Sequence, residues 1–474
     1  MSGFACITAR MDRPAGRILS LAWPMLIAQL AIIANGLIDT MMLGGTSAEN
    51  LATISLGASI YATVFVTFLG ALNALQPIAA QHFGALRHAE IGVETAQAGW
   101  LALAFSAIGM ALLFNVEPII ALASPEAMVK QQAADYLHLI ALGMPAALLL
   151  RVAVSLNSAI SRPLVTMLLN MWGVLVKIPL NLWFIAGGAG LPAMGASGCA
   201  LATTSVAWIN LIIMVVLLRR LPFYRPLQIR PMMPQWPRLK TLLALGLPMG
   251  TAVAVEVSSF TLIAVMVARL GAVVAGAHQI LANLAALAFM LPLSLGSASG
   301  VLVAQAIGAR KPQLARQTSR AGLWLGLFGG AMIAMTIWLA ATWIVRTYTS
   351  HAQVAELALS VFPAMALFHL FDAGQGVVSG LLRAHKLPRL ARQSTLIYCL
   401  ALRGVGLTGG WIASYQFGWG LAGFWVCGAA GNACAFVGLY ALLRRVERVR
   451  LIDVATQSTV ATLATSPMSE NRQP

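Results

Sequence analysis

Three carboxylates, Asp39, Glu256 and Asp372, lie inside long apolar stretches of this chain. An ionised acid at the centre of a bilayer costs on the order of 3 kcal/mol by the lower estimates. Such residues are kept where they face a cavity, a pathway or a partner. The chemistry open to them there is reversible capture of a proton or a metal cation. Helix rise is about 1.5 Å per residue, and Asp372 lies eleven residues before Arg383, so it sits roughly 16 Å from that arginine along a helix. Glu256 is similarly deep, and both belong to the second half of the chain. If they share a site, their titration is coupled. A proton relieves such a pair, and so does Na⁺ held between the carboxylates and neighbouring oxygens. Gln279, Asn283 and Gln375 are the candidate amides nearby, with Asn73 and Gln76 in the first half.

Asp39 has a different companion. Lys177 interrupts the apolar run WGVLVKIPLNLWF one turn before Asn181. A lysine at that depth must be neutral or paired, and Asp39 is the intramembrane acid available in its half. A Lys177–Asp39 pair is therefore expected, with Asn181 beside it; the alternative is a lysine whose stem reaches toward headgroups or a wet cavity. Phe260, Phe289, Phe368 and Phe371 could offer ring faces to a flat organic cation or pack against lipid. His138, His278 and His369 and the five cysteines show neither metal-ligand spacing nor a disulfide framework. No structural metal and no cofactor is expected. No nucleophile–base constellation or phosphate-binding loop can be read, so the chain does not read as an enzyme.

The elements that must hold these residues are membrane spans. Of 474 residues, 59% are hydrophobic and 9% charged, against about 25% charged in soluble domains. The mean hydropathy is +0.83. Apolar runs of about 20 to 30 residues, enough to cross a core about 30 Å thick, recur twelve times between residues 18 and 443. The net charge of +16 is not a nucleic-acid signature, because its distribution follows the spans. With the N-terminus in the cytoplasm, 24 of the 30 basic residues fall on one side, a strong positive-inside pattern that puts both termini in the cytoplasm and a basic face against anionic lipid.

The polar, proline-rich stretch 219–240 divides the chain. Residues 1–218 form a first lobe of six spans and 241–445 a second. Residues 446–474 read as a flexible cytoplasmic tail. The halves are related: a shift of 224 positions brings Pro24-Met25 onto Pro248-Met249, and Gln81, Gly84 and Ala85 onto Gln305, Gly308 and Ala309. Six spans per copy give both the same orientation, so the copies are related by a pseudo-two-fold axis along the membrane normal. The expected fold is an all-α polytopic membrane protein, twelve helices in two six-helix lobes, with a cleft between them.

The chain resembles the multidrug and toxic compound extrusion family, in its bacterial NorM-like branch. The resemblance rests on ANGLIDTMMLG around Asp39, on the paired QPIAAQHFGA and VLVAQAIGAR, on Glu256, and on FHLFDAGQGVVSGLLRAHK around Asp372. It covers about residues 15–445. It implies secondary active efflux, in which H⁺ or Na⁺ enters as a small organic, mostly cationic and amphipathic compound leaves the cytoplasm. Glu256 and Asp372 would carry the second-lobe cation site, Na⁺ included, and Asp39 the first-lobe coupling. Phe289 matches an aromatic position lining the family's cavity. It also implies a monomer in the bacterial inner membrane, with lipids as neighbours and no nucleic acid. Two positions depart from the pattern. Lys177 stands where asparagine is usual, and Phe368 where a tyrosine often lies. Both tilt the reading toward H⁺. The competing reading is a lipid-linked oligosaccharide flippase or exporter on a related scaffold, which a basic cavity residue such as Lys177 would suit.

Overall fold

Lipid offers no partner to a backbone N–H or C=O, so an apolar run that crosses a bilayer must close its hydrogen bonds within itself. This chain does so with helices. The structure, a computed structural model, describes residues 14–44, 47–121, 127–188, 190 and 192–465. Residues 1–13 and 466–474, with Cys6, Arg10, Arg13 and Arg472, lie outside it.

The first lobe comprises α1 (Pro14–Gly44), α2 (Ala48–Leu72), α3 (Leu75–Gly84), α4 (His88–Phe114), α5 (Glu117–Ala121), α6 (Ala127–Ala141), α7 (Met144–Ala159), α8 (Pro163–Ala186) and α9 (Gly195–Arg220). A short 3₁₀ turn at Pro222–Leu227 follows. The second lobe comprises α10 (Trp236–Ala268), α11 (Ala272–Gly308), α12 (Pro312–Leu339), α13 (Ala341–Tyr348), α14 (Ala352–Arg383), α15 (Pro388–Leu400), a π segment at Ala401–Thr408, α16 (Gly409–Tyr415) and α17 (Gly420–Thr465). Among the described residues, eleven helices are long and apolar enough to cross a membrane, and the pair α6–α7, bent by 48°, makes twelve when counted as one span. Pro145 sits at the start of α7, where it lacks the N–H that a continuous helix would need.

Two boundaries differ from the sequence reading. The second lobe begins at Trp236 rather than 241. The last helix continues to Thr465, so residues 446–465 are helical rather than flexible tail. From Leu439 to Ser466 there is no glycine or proline, and nothing interrupts the helix once the last span has started it.

The internal repeat is written into the backbone. Leu86 (φ 59°) and Arg310 (φ 57°) both take the left-handed conformation just past a helix end. Arg87 N donates to His82 O, and Lys311 N to Ala306 O, each at 2.9 Å. Ser161 (φ 58°) and Lys386 (φ 53°) form a second such pair. A left-handed residue other than glycine costs about 1–2 kcal/mol, and both halves accept that cost at equivalent places.

The lobes join where the arginine-rich ends of the helices meet. Gly84 packs on the Gln305 carbonyl, and Gly308 on the Gln81 carbonyl; a Cβ on either glycine would collide with the backbone opposite. Gln81 Nε2 donates to Ala384 O at 2.7 Å, and Gln305 Nε2 donates to Ala159 O at 2.8 Å. These are the same contact made twice, once from each copy of the repeat. Gln76 Nε2 reaches Ser297 Oγ at 2.8 Å. Arg238 at the head of α10 pairs with Glu90 (2.8 Å) and Glu94 (2.7 Å) of α4. These hydrogen bonds between the lobes all lie in the arginine-rich half of the molecule.

Each glutamine bond is worth about 1 kcal/mol net, and removing both should shift the balance between joined and parted lobes roughly 30-fold, since 1.4 kcal/mol is about tenfold. Gln81→Ala with Gln305→Ala should therefore lengthen and broaden spin-label distances measured across the arginine-rich ends. A distance distribution matching the parent would count against this pair as the fastening.

Candidate functional site

The first-lobe site is built where α1 and α8 cross. Asp39 projects from the far half of α1 and is buried. Lys177 and Asn181 stand one turn apart on α8, so both face the same neighbour. Lys177 Nζ lies 2.6 Å from Asp39 Oδ2 and 3.4 Å from the Asn35 carbonyl. Asn181 Nδ2 donates to Asp39 Oδ1 at 2.9 Å. Lys177 is 3% exposed and Asn181 fully buried, so the lysine does not reach toward headgroups. Cys199 of α9 closes the site from the side. The lysine pairs with one carboxylate oxygen and the amide N–H with the other.

The second-lobe site is built differently. Asp372 of α14 is buried. Its Oδ1 accepts from Gln375 Nε2 on the next turn (3.1 Å) and from Asn432 Nδ2 of α17 (3.2 Å). Glu256 of α10 is half-buried and close enough for its charge to act on Asp372. The Tyr398 hydroxyl of α15 faces Glu256. Neither acid has an ion pair among the described residues; Arg383, lower on α14, contributes a field at Glu256 without contact. Two acids therefore lie within reach of each other's charge, with no ion-paired side chain at either among the described residues.

The sequence reasoning missed Tyr398 and Asn432. The signal was present, since each is a polar group in an otherwise apolar run, but which helix they would face was not. Gln279 and Asn283 are exposed on α11 and bond to one another at 3.0 Å. Phe289 packs against the Gly376 backbone of α14. Phe368 is buried among Trp425 (5.3 Å between centroids) and Phe260 (6.3 Å), beside an internal cavity of about 20 Å³. Asn73 and Gln76 stand at the lobe junction, away from Asp39: Asn73 Oδ1 takes Arg151 Nε and Nη2 at 3.0 and 2.8 Å. Arg403 extends from the π segment to Ser258 Oγ at 2.7 Å. No cluster of metal-ligating side chains exists among the described residues.

Comparison with known proteins follows the same division into halves. The profile of the family described as MatE matches twice, over residues 24–183 and 248–403, with starts 224 positions apart. The chain is 37% identical to the probable multidrug resistance protein NorM of Aromatoleum aromaticum, covering 92% of this chain and 95% of that one. It is 32% identical to the multidrug resistance protein NorM of Vibrio vulnificus, covering 93% and 98%. Its fold is similar to that of the eukaryotic MATE transporter AtDTX14, with a TM-score of 0.82 at 19% identity over 92% of this chain and 98% of that one.

The first-lobe ion pair is a buried one, for which removing one partner costs about 3–5 kcal/mol. Lys177→Met should strand the Asp39 charge and lower the thermal midpoint. Lys177→Met with Asp39→Asn should recover most of that loss. Equal destabilisation in the single and double variants would show that the two side chains are not energetically coupled.

Proposed function

The chain belongs to the MatE family of membrane transporters, and on that premise we propose that it is a multidrug efflux antiporter whose exchange of ions takes place at Glu256 and Asp372. The observation that carries this reading is the contrast between the lobes. Asp39 has its cation built in, whereas Glu256 and Asp372 share an environment without one. Two ionised acids in a low-dielectric site repel each other and lose hydration. Taking up a cation from one side of the membrane relieves them, and the cost returns when the cation leaves on the other. An ion that binds one arrangement of the lobes better than the other shifts the balance between them, and a compound in the cleft moves with that shift.

The ion we propose is H⁺. Among the described residues, both donors to Asp372 converge on Oδ1, which leaves Oδ2 to take a proton. Phe368 brings no oxygen one turn away, where Na⁺ would need one. In the first lobe Lys177 holds the place that a free cation would take. The exported compounds we propose are small organic cations, because an acid pair without a counter-charge attracts positive charge. We place the arginine-rich ends, and with them both termini, in the cytoplasm of a bacterium, by the positive-inside pattern. A lipid-linked oligosaccharide exporter is disfavoured by the same geometry: Lys177 is already neutralised by Asp39 and offers no charge to a phosphate.

The test uses purified protein in liposomes, a fluorescent cationic dye, and imposed H⁺ or Na⁺ gradients. Dye export should follow the H⁺ gradient, and should fall at least about tenfold in Asp372→Asn and in Glu256→Gln; a tenfold change is about 1.4 kcal/mol. Export that follows only Na⁺ would replace the ion. Unchanged export in both variants would remove the site assignment, and export indifferent to both gradients would remove antiport.

A further inference from the structure

The junction between the lobes holds a feature that ion exchange at Glu256 and Asp372 does not use. Arg151 of α7 and Arg383 of α14, one from each lobe, are near enough for their like charges to act on each other. Neither has an ion pair among the described residues. Arg151 spends Nε and Nη2 on one amide oxygen, Asn73 Oδ1. Arg383 donates Nε to the Ser379 carbonyl at 3.1 Å, and its terminal nitrogens have no acceptor among the described residues. Between the lobes lies a cavity of about 30 Å³, lined by Asn73, Gln76 and Pro77 on one side and by Met249, Ser297 and Arg383 on the other.

The polar groups around that cavity are mostly donors. Asn73 turns its oxygen to Arg151, so its amide nitrogen is free to donate. Ser297 Oγ accepts from Gln76 and keeps its own proton to give. Arg383 adds a full positive charge. The one side-chain acceptor is Gln76 Oε1. The one acid whose field reaches Arg383 is Glu256, and it does so from the second-lobe site without contact. A donor-lined, positively charged hollow at an interface is costly unless an anion fills it. Its volume corresponds to one or two waters, which suits a halide.

We propose that this cavity is a chloride site, in which the ion bridges Arg383 of one lobe and the Asn73 amide of the other, behind which Arg151 stands, and holds the lobes together at their arginine-rich ends. The site spans both lobes, so it exists only while they are joined there. Chloride is then a ligand of one arrangement of the transporter and stabilises it by mass action. The proposal rests on the junction geometry alone and is independent of which ion drives export or what is exported.

The experiment is thermal unfolding of the purified full-length protein, followed by tryptophan fluorescence. Sodium chloride, sodium bromide and sodium gluconate are titrated at constant sodium and constant ionic strength. The expected result is a saturable rise in the midpoint with chloride and bromide and none with gluconate. Arg383→Gln should lose most of that rise. Asn73→Asp, which supplies a fixed carboxylate beside both arginines, should be as stable in gluconate as the parent is in chloride and should no longer respond to halide. Arg444→Gln, outside the junction, should respond like the parent. Equal midpoints in chloride and gluconate for the parent would overturn the proposal. So would a halide response that persists undiminished in both Arg383→Gln and Asn73→Asp. If Arg383→Gln does not fold, Asn73→Asp decides alone.

Discussion

A carboxylate buried among helices in lipid needs either a fixed countercharge or an exchangeable one. This chain uses both solutions, one in each lobe. Asp39 is held by Lys177 at 2.6 Å and by Asn181 at 2.9 Å, and the unit is electrically closed. Asp372 receives two amide N–H groups and the field of Glu256, and that unit is electrically open. Hydrogen bonds from neutral amides lower the cost of the charge without cancelling it. The two lobes thus share a fold and a repeat but not an electrostatic role, and the asymmetry rests chiefly on the residue at position 177.

The scaffold answers a second constraint: lobes that part and rejoin, as the proposed antiport requires, must do so without unravelling. Their contact uses backbone as well as side chains. Gly84 and Gly308 let helices α3 and α11 approach each other's carbonyls, and Gln81 and Gln305 bond to carbonyls at helix ends of the opposite lobe. Small residues and backbone acceptors make such a contact close, within an apolar core that runs through both lobes.

Much of this was legible in the sequence, for reasons that can be named. The span count and the repeat follow from apolar run lengths and from residues such as Gln81/Gln305 and Gly84/Gly308, where chemistry and spacing recur together. The Lys177–Asp39 pair could be anticipated because an apolar half with one acid and one deep lysine leaves few other partners. Asn432 and Tyr398 were not found, because helix rotation decides which of many polar residues face a given acid, and one sequence does not fix rotation. Gln279 and Asn283 are exposed on α11 and bond to one another, and one sequence does not fix which way that face turns. The extent of α17 was misjudged because Thr- and Ser-rich composition was weighed above the absence of helix breakers.

The second-lobe acids and the lobe junction are physically connected, and α14 is the connection. Asp372 and Arg383 lie on one helix, eleven residues and three turns apart, so the helix carries both the buried acid and the arginine of the interlobe cavity. Glu256 acts on each of them: its charge repels that of Asp372 and attracts that of Arg383. When Glu256 is ionised, its field offsets part of the arginine's charge and lessens the hold of an anion in the cavity. When a cation neutralises Glu256, Arg383 stands with its full charge at the junction and an anion there is held more tightly. If the acid pair exchanges a cation and the cavity holds an anion, as proposed, the two sites would be linked through one guanidinium, and linkage of that kind is reciprocal. An anion in the cavity would then in turn favour the cation-bound form of the acids.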